Sequence, residues 1–408
     1  MMNLLCPPPT LALITALAAP AAPAPNPSKL ADDELLAAGR YSEIPAPRKN
    51  DAHGHALWAF ARFYLCPDKT VADAASLAHQ KGDDLGTYVW KICNSAGVGV
   101  IRNPQESARL NYELRQGLLK KAKPSPLELY RLSRCPPGER TGVFSATGPE
   151  EVEREKQAST ARLKKAAELG FAQAYADLAE AETDPAKSFA WYRKAANLGL
   201  AEGKRYVGID LMLGTGVAKD PVNGYAATLE AARRGDVYAM INLTVFHQRG
   251  MGVKRDDAAA QRWLRAAAAS GHWYGHLEHG MAQLTGDYGT VIDPKGGRAA
   301  LQKAVDTGNA EALQSVAVAY WKGEGLAQDG ARAARFALAA NRQGSMAAAT
   351  ILTRLYSGGL GQLQPDAQRA RIWQRAGAWI GLRLLSDADR AQLQSWLKEV
   401  DPFAMKVE

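Results

Sequence analysis

The chain is poor in cysteine, has no long apolar run and contains no stretch dominated by one sign of charge. Four cysteines among 408 residues, with no C-x-x-C pair, give no thiolate framework for a structural zinc site. The most apolar stretch, Leu11 to Ala19, falls well short of the roughly 20 residues that a membrane-spanning helix needs. Lys and Arg number 50 against 42 Asp and Glu, a net charge of +8, but the two signs are interleaved without a dense basic tract. With no nucleic-acid-binding motif present, this excludes nucleic acid as the expected partner. There is also no nucleophile elbow, phosphate loop or dinucleotide fingerprint. The nearest pretender, "GLAEGKRY", has the wrong glycine spacing and lacks a Ser or Thr after its lysine. No catalytic residue, cofactor or metal is therefore assigned, and the expectation is a chain that is not an enzyme.

The opening residues, "MMNLLCPPPTLALITALAAPAAPAPNPSKL", read as an export signal over residues 1–24. A short apolar run leads into small residues with several A-x-A cleavage points, although no Lys or Arg precedes the run. A Pro/Ala-rich spacer and entry segment follows over residues 25–50. Export predicts a periplasmic or secreted protein. Past the leader stand Cys66, Cys93 and Cys135, an odd number. Either two of them form one intramolecular disulfide, or none is bonded.

What the chain has in quantity is repetition. Glycines close alanine-rich runs at 82, 117, 170, 199, 235, 271, 308 and 344, spaced 35, 53, 29, 36, 36, 37 and 36 residues apart. A period near 36 is the mark of a helical array. In the unit from Asp236 to Gly271, Ala239, Leu243 and Phe246 share one face of a first helix. That helix should stop at "RGMGV", where Gly250 and Gly252 can adopt left-handed backbone angles. Asp256 or Asp257 then caps a second helix, "AAAQRWLRAAAAS", which ends at Gly271. Such a pair cannot bury its apolar face alone, so neighbours must stack on it.

"WYRKAANLG", "LGTGVAKDP", "RGMGVKRD" and "AEALQSVAVAYWKGEGL" together resemble Sel1-like repeats, relatives of the tetratricopeptide repeat. The resemblance spans roughly residues 51–381 and implies an all-α fold, a right-handed α-solenoid of about nine helix–turn–helix repeats. An insertion near residues 133–150 is too rich in Pro and Gly to be helical throughout. Residues 382–408 should hold a C-terminal capping helix, with Ser386 and Asp389 as its capping box.

One stretch stands apart. In "GHWYGHLEHG", His272, His276 and His279 recur at i, i+4 and i+7, three of the seven histidines in the chain. A metal can use such a stripe, but His279 is in register with Val207, Leu243, Val316 and Leu352, which favours a core histidine. The resemblance implies that first helices line a concave groove which binds a protein partner. The candidate lining is Arg205, Asn242, His247, His272, His276, Gln314 and Arg354. The expected function is a non-enzymatic scaffold or adaptor of the bacterial envelope. An inhibitor or immunity protein against a toxin or envelope enzyme is the alternative. A cell-wall hydrolase is a third reading, without a visible nucleophile and base. An anionic envelope component stays open as a further partner.

Overall fold

A computed structural model describes residues 32–137, 149–377 and 385–408. The export signal of residues 1–24, and most of the insertion near 133–150, lie outside the described residues. The chain is helical, and among the described residues the only strand-like feature is a single bridge between Leu360 and Leu363. Its described residues divide into two compact units, one from residue 32 to 95 and from 103 to 272, the other from 273 onward with the short segment 96–102.

The first unit opens with α1 (Asp32–Ala37), whose Leu35 and Leu36 are buried, so the entry segment is already part of the folded body. It continues through α2 (Ala52–Leu65), α3 (Lys69–Gln80), α4 (Asp84–Ala96), α5 (Pro104–Leu119), α6 (Pro126–Ser133), α7 (Pro149–Glu168), α8 (Ala172–Ala181) and α9 (Pro185–Leu198). It ends with α10 (Ala201–Leu213), α11 (Pro221–Arg233), α12 (Val237–Arg249) and α13 (Asp257–Ala269). The second unit holds α14 (Trp273–Thr285), α15 (Pro294–Asp306), α16 (Ala310–Lys322), α17 (Gly330–Arg342), α18 (Ala347–Gly358), α19 (Ala367–Ala376) and α20 (Asp387–Lys398). Among the described residues, α2 packs with α3, α6 with α7, and each consecutive pair from α8 with α9 to α18 with α19 likewise.

Caps set the ends of these helices. Asp256, not Asp257, opens α13 by accepting from the Ala259 amide at 2.9 Å, and Asp220, Asp293, Asp329 and Asp366 act alike on their own helices. Gly250 ends α12 with φ of 68°. Ser386 caps α20 by accepting from the Asp389 amide at 3.1 Å. The expected box is only half formed, because Asp389 instead lies 3.9 Å from Arg375. An aspartate is one methylene shorter than the glutamate that a capping box uses.

Packing depends on close approach. Where α10 crosses α11, a Cβ on Gly208 would come within 2.8 Å of the Gly224 carbonyl, and one on Gly224 within 2.8 Å of the Gly208 carbonyl. The crossing of α14 and α15 repeats this with Gly280 and Gly297. In the sequence register of these glycines, α12 and α13 carry Thr244 and Ala260, and α16 and α17 carry Ala317 and Ala333, all small and buried. First helices are then enclosed on several sides. In α12, Val237 through Thr244 are all buried, more than the single face expected from Ala239, Leu243 and Phe246.

The recurring G-x-G phrase has a mechanical cause. Its second glycine abuts the opening turn of the preceding second helix: a Cβ on Gly252 would sit 2.0 Å from the Pro221 carbonyl oxygen. Gly250 has similar backbone angles but nothing within 3.4 Å of its virtual Cβ. Gly252→Ala should therefore cost about 3 kcal/mol in urea unfolding, and Gly250→Ala about 1 kcal/mol. Equal losses at the two sites would show that backbone angle alone, without contact between pairs, sets the requirement.

Candidate functional site

Counted from the start of each first helix, the second and sixth residues are polar in successive pairs. They are Gln173 and Asp177 on α8, Glu202 and Tyr206 on α10, Tyr238 and Asn242 on α12, Tyr274 and Glu278 on α14, and Glu311 and Ser315 on α16. A spacing of four brings each pair together on one side of its helix.

In the first unit these residues build a connected cluster. The Gln173 amide donates from Nε2 to Asp177 Oδ1 at 3.3 Å and to Glu202 Oε2 at 3.1 Å. Its Oε1 accepts from the Tyr41 hydroxyl at 3.2 Å. The hydroxyls of Tyr64 and Tyr130 share a hydrogen bond of 2.8 Å. Arg134, on the rim with half of its side chain exposed, reaches to 3.5 Å from Asp177 Oδ2. Tyr206 stacks on Tyr192 with ring centroids 4.2 Å apart.

Two carboxylates here are costly to ionise. Burial raises Asp177 above the usual range despite Arg134 and Gln173. Burial pushes Glu202 up to about 7, against the opposing pull of Arg205 and Gln173. In the second unit burial likewise raises Glu278, against hydrogen bonds from the Tyr274 and Tyr288 hydroxyls, and Glu311. Second helices carry the opposite sign. Lys187, Arg193 and Lys194 stand exposed on α9, Arg335 on α17, and Arg371 and Arg375 on α19. The positive net charge therefore coexists with enclosed carboxylates on α8 and α10 in the first unit and on α14 and α16 in the second.

The lining expected from the sequence fares unevenly. Arg205 is 1% exposed; its Nε donates to Asp236 Oδ2 at 3.0 Å, and its guanidinium lies 4.2 Å over Tyr206. It is wall, not surface, because Asp236, itself capping α12 through Oδ1, needs a cation in a buried setting. Asn242 is buried, with its Nδ2 unpartnered. His247 is buried edge-on to Tyr225, whose hydroxyl is 3.1 Å from Nε2. His272 is fully buried beside Tyr238 and precedes α14, so the three histidines do not share one helical face. It belongs to the first unit, whereas His276 and His279 are half-buried on α14 in the second. Burial, with Lys303 and His279 nearby, lowers His276 to about 4. Gln314 accepts from the Ser345 hydroxyl at 2.5 Å, and Arg354 is exposed over Trp321. Among the described residues no group of three His, Cys, Asp or Glu side chains could hold a metal ion. Cys66, Cys93 and Cys135 are buried free thiols, which is the unbonded one of the two alternatives. Burial raises both Cys66 and Cys93 to about 12.

Sequence reasoning passed over Gln173, Asp177 and Glu202. The signal was present as polar residues at i and i+4 of successive first helices, in a phrase otherwise made of alanine and leucine.

The Sel1 repeat family model matches residues 166–200, 237–272, 310–345 and 347–376. The chain carries Sel1 repeats. Sel1-repeat proteins are generally protein-interaction scaffolds and typically not enzymes. Among solved structures, a Sel1 repeat protein from Oxalobacter formigenes is 25% identical, with 62% of this chain and 98% of that one covered and a TM-score of 0.43. A protective antigen of uropathogenic Escherichia coli with an SLR fold is 18% identical, covering 88% and 92%, with a TM-score of 0.31. An immunity protein from Pseudomonas aeruginosa is 18% identical, covering 58% and 84%, with a TM-score of 0.39. No curated protein matches the sequence. No helix among the described residues is long and apolar enough to cross a membrane.

The raised Glu202 carboxyl has a consequence for stability. Its folded pKa exceeds the unfolded value, so the folded state binds the proton more tightly and stability falls as pH rises from about 4.5 through 7. Glu202→Gln should raise the melting temperature at pH 8 and leave it nearly unchanged at pH 4.5. Its gain has an upper bound of about 3 kcal/mol from the shift. The same change in melting temperature at both pH values would mean that Glu202 is ionised without cost in the fold.

Proposed function

We propose that the chain is a non-enzymatic scaffold of the bacterial envelope that holds a protein partner against its first helices. The partner would insert a basic side chain into the Tyr41, Gln173, Asp177 and Glu202 cluster. The observation carrying this reading is the pair of enclosed carboxylates, Asp177 and Glu202, both raised by burial. A Lys or Arg from a partner would supply the charge that burial denies them, and a fully desolvated pair of this kind contributes strongly to affinity. The proposed groove is lined in the first unit by Gln173, Asp177, Glu202 and Tyr206, with Arg205 and Asn242 as its wall. Placement in the periplasm or outside the cell rests on the leader-like residues 1–24.

The test uses residues 25–408 as bait in envelope extract, with captured proteins identified by mass spectrometry and the complex reconstituted from purified components. Asp177→Asn with Glu202→Gln should weaken that complex between tenfold and a hundredfold, about 1.4 to 3 kcal/mol. Wild-type affinity should also fall as pH drops below 7, because the inserted cation needs ionised Glu202. A complex that forms equally well with the double variant and at pH 5.5 would rule out this cluster as the contact.

A further inference from the structure

After α20 the chain turns at Asp401, where the Phe403 amide donates to Asp401 Oδ1 at 2.9 Å, and then runs extended between α15 and α17 over the end of α16. Burial along this segment alternates. Phe403 and Val407 are half-buried and Met405 is buried, whereas Ala404 and Lys406 are exposed. A period of two is how an extended strand presents one edge of side chains to a surface.

The helices hold this segment through its backbone as well as through Met405, which is part of the hydrophobic core of the unit, and Val407 packed against it. The Gln302 side chain on α15 donates from Nε2 to the Met405 carbonyl at 2.9 Å and accepts at Oε1 from the Val407 amide at 2.8 Å. The Tyr320 hydroxyl on α16 donates to the Glu408 carbonyl and accepts from the Glu408 amide, each at 2.9 Å. Arg332 on α17 pairs with the Glu408 carboxylate at 2.6 Å. Phe403 lies over Gly308, where any Cβ would come within 2.3 Å of its ring. A side-chain amide that uses both its donor and its acceptor on alternate residues grips any extended peptide, and the packing of Met405 and Val407 with the Arg332–Glu408 pair adds selectivity.

We propose that the groove between α15 and α17 is a docking site for an extended peptide with two apolar residues two positions apart followed by an acidic residue. Residues 405–408 of the chain occupy it in cis, so a partner segment of the same chemistry binds by displacing them. The site is separate from the Asp177 and Glu202 cluster and does not depend on the function proposed there.

Fluorescence anisotropy with a labelled peptide of sequence DPFAMKVE tests this on three proteins: the intact chain, a chain ending at Pro402, and the full chain with Met405→Asp. Both variants should bind the peptide with a Kd on the order of 10 µM. The intact chain should bind roughly a hundredfold more weakly, because a short tether supplies a millimolar effective concentration of competitor. Gln302→Ala in the shortened chain should lose at least tenfold. Four results would overturn the proposal: no binding to a folded shortened chain, equal binding to all three proteins, equal binding of a scrambled peptide, or a dimer formed by exchange of the segment. Loss of folding in both variants would also overturn it, by making residues 403–408 part of the core.

Discussion

Everything in this molecule follows from how closely two helices of one pair approach. At Gly208 with Gly224, and again at Gly280 with Gly297, the backbones meet at distances that leave no room for a Cβ. Such contact exchanges bulky side-chain packing for dispersion along the backbone, and it fixes where each pair crosses. With the crossing fixed, the turn between the helices must also be tight, and the second glycine of G-x-G presses on the preceding pair. The glycine phrase that looks like a nucleotide loop is thus the hinge of a stack.

Close stacking determines what happens to polar groups. Where first helices become enclosed, as α12 does, polar residues on their buried faces are driven to find partners. Arg205 and Asp236 solve this as a buried ion pair in which one carboxylate both caps α12 and holds α10. Gln173, Asp177 and Glu202 solve it as a hydrogen-bonded cluster whose carboxylates still lack full compensation. Exposed positions of the second helices α9, α17 and α19 carry cations, while Asp177 and Glu202 are enclosed on α8 and α10.

The segment 401–408 applies the same logic from outside. Between α15 and α17 an extended segment lies over α16 with the side chains of alternate residues turned inward. The second unit uses its own chain for this, with Gln302, Tyr320 and Arg332 as the gripping residues.

From sequence alone came the repeat, its period near 36, the helix–turn–helix unit, the capping aspartates and the stopping glycines. These are local: cap chemistry and backbone angle depend on a few neighbouring residues, and a period is visible without knowing what it packs against. The site was less legible. Arg205, Asn242, His247 and His272 read as lining because they are polar and on or beside first helices, yet all four are buried. The histidine stripe dissolved because α14 begins at Trp273, one residue after His272. Polarity and periodicity say that a residue is unusual. Whether it faces solvent, a partner or an internal counter-ion is set by the neighbouring pair, which lies some 36 residues away in the chain. Only the tertiary structure brings the two together, because the burial that raises Glu202 and hides Arg205 exists only once the pairs stack.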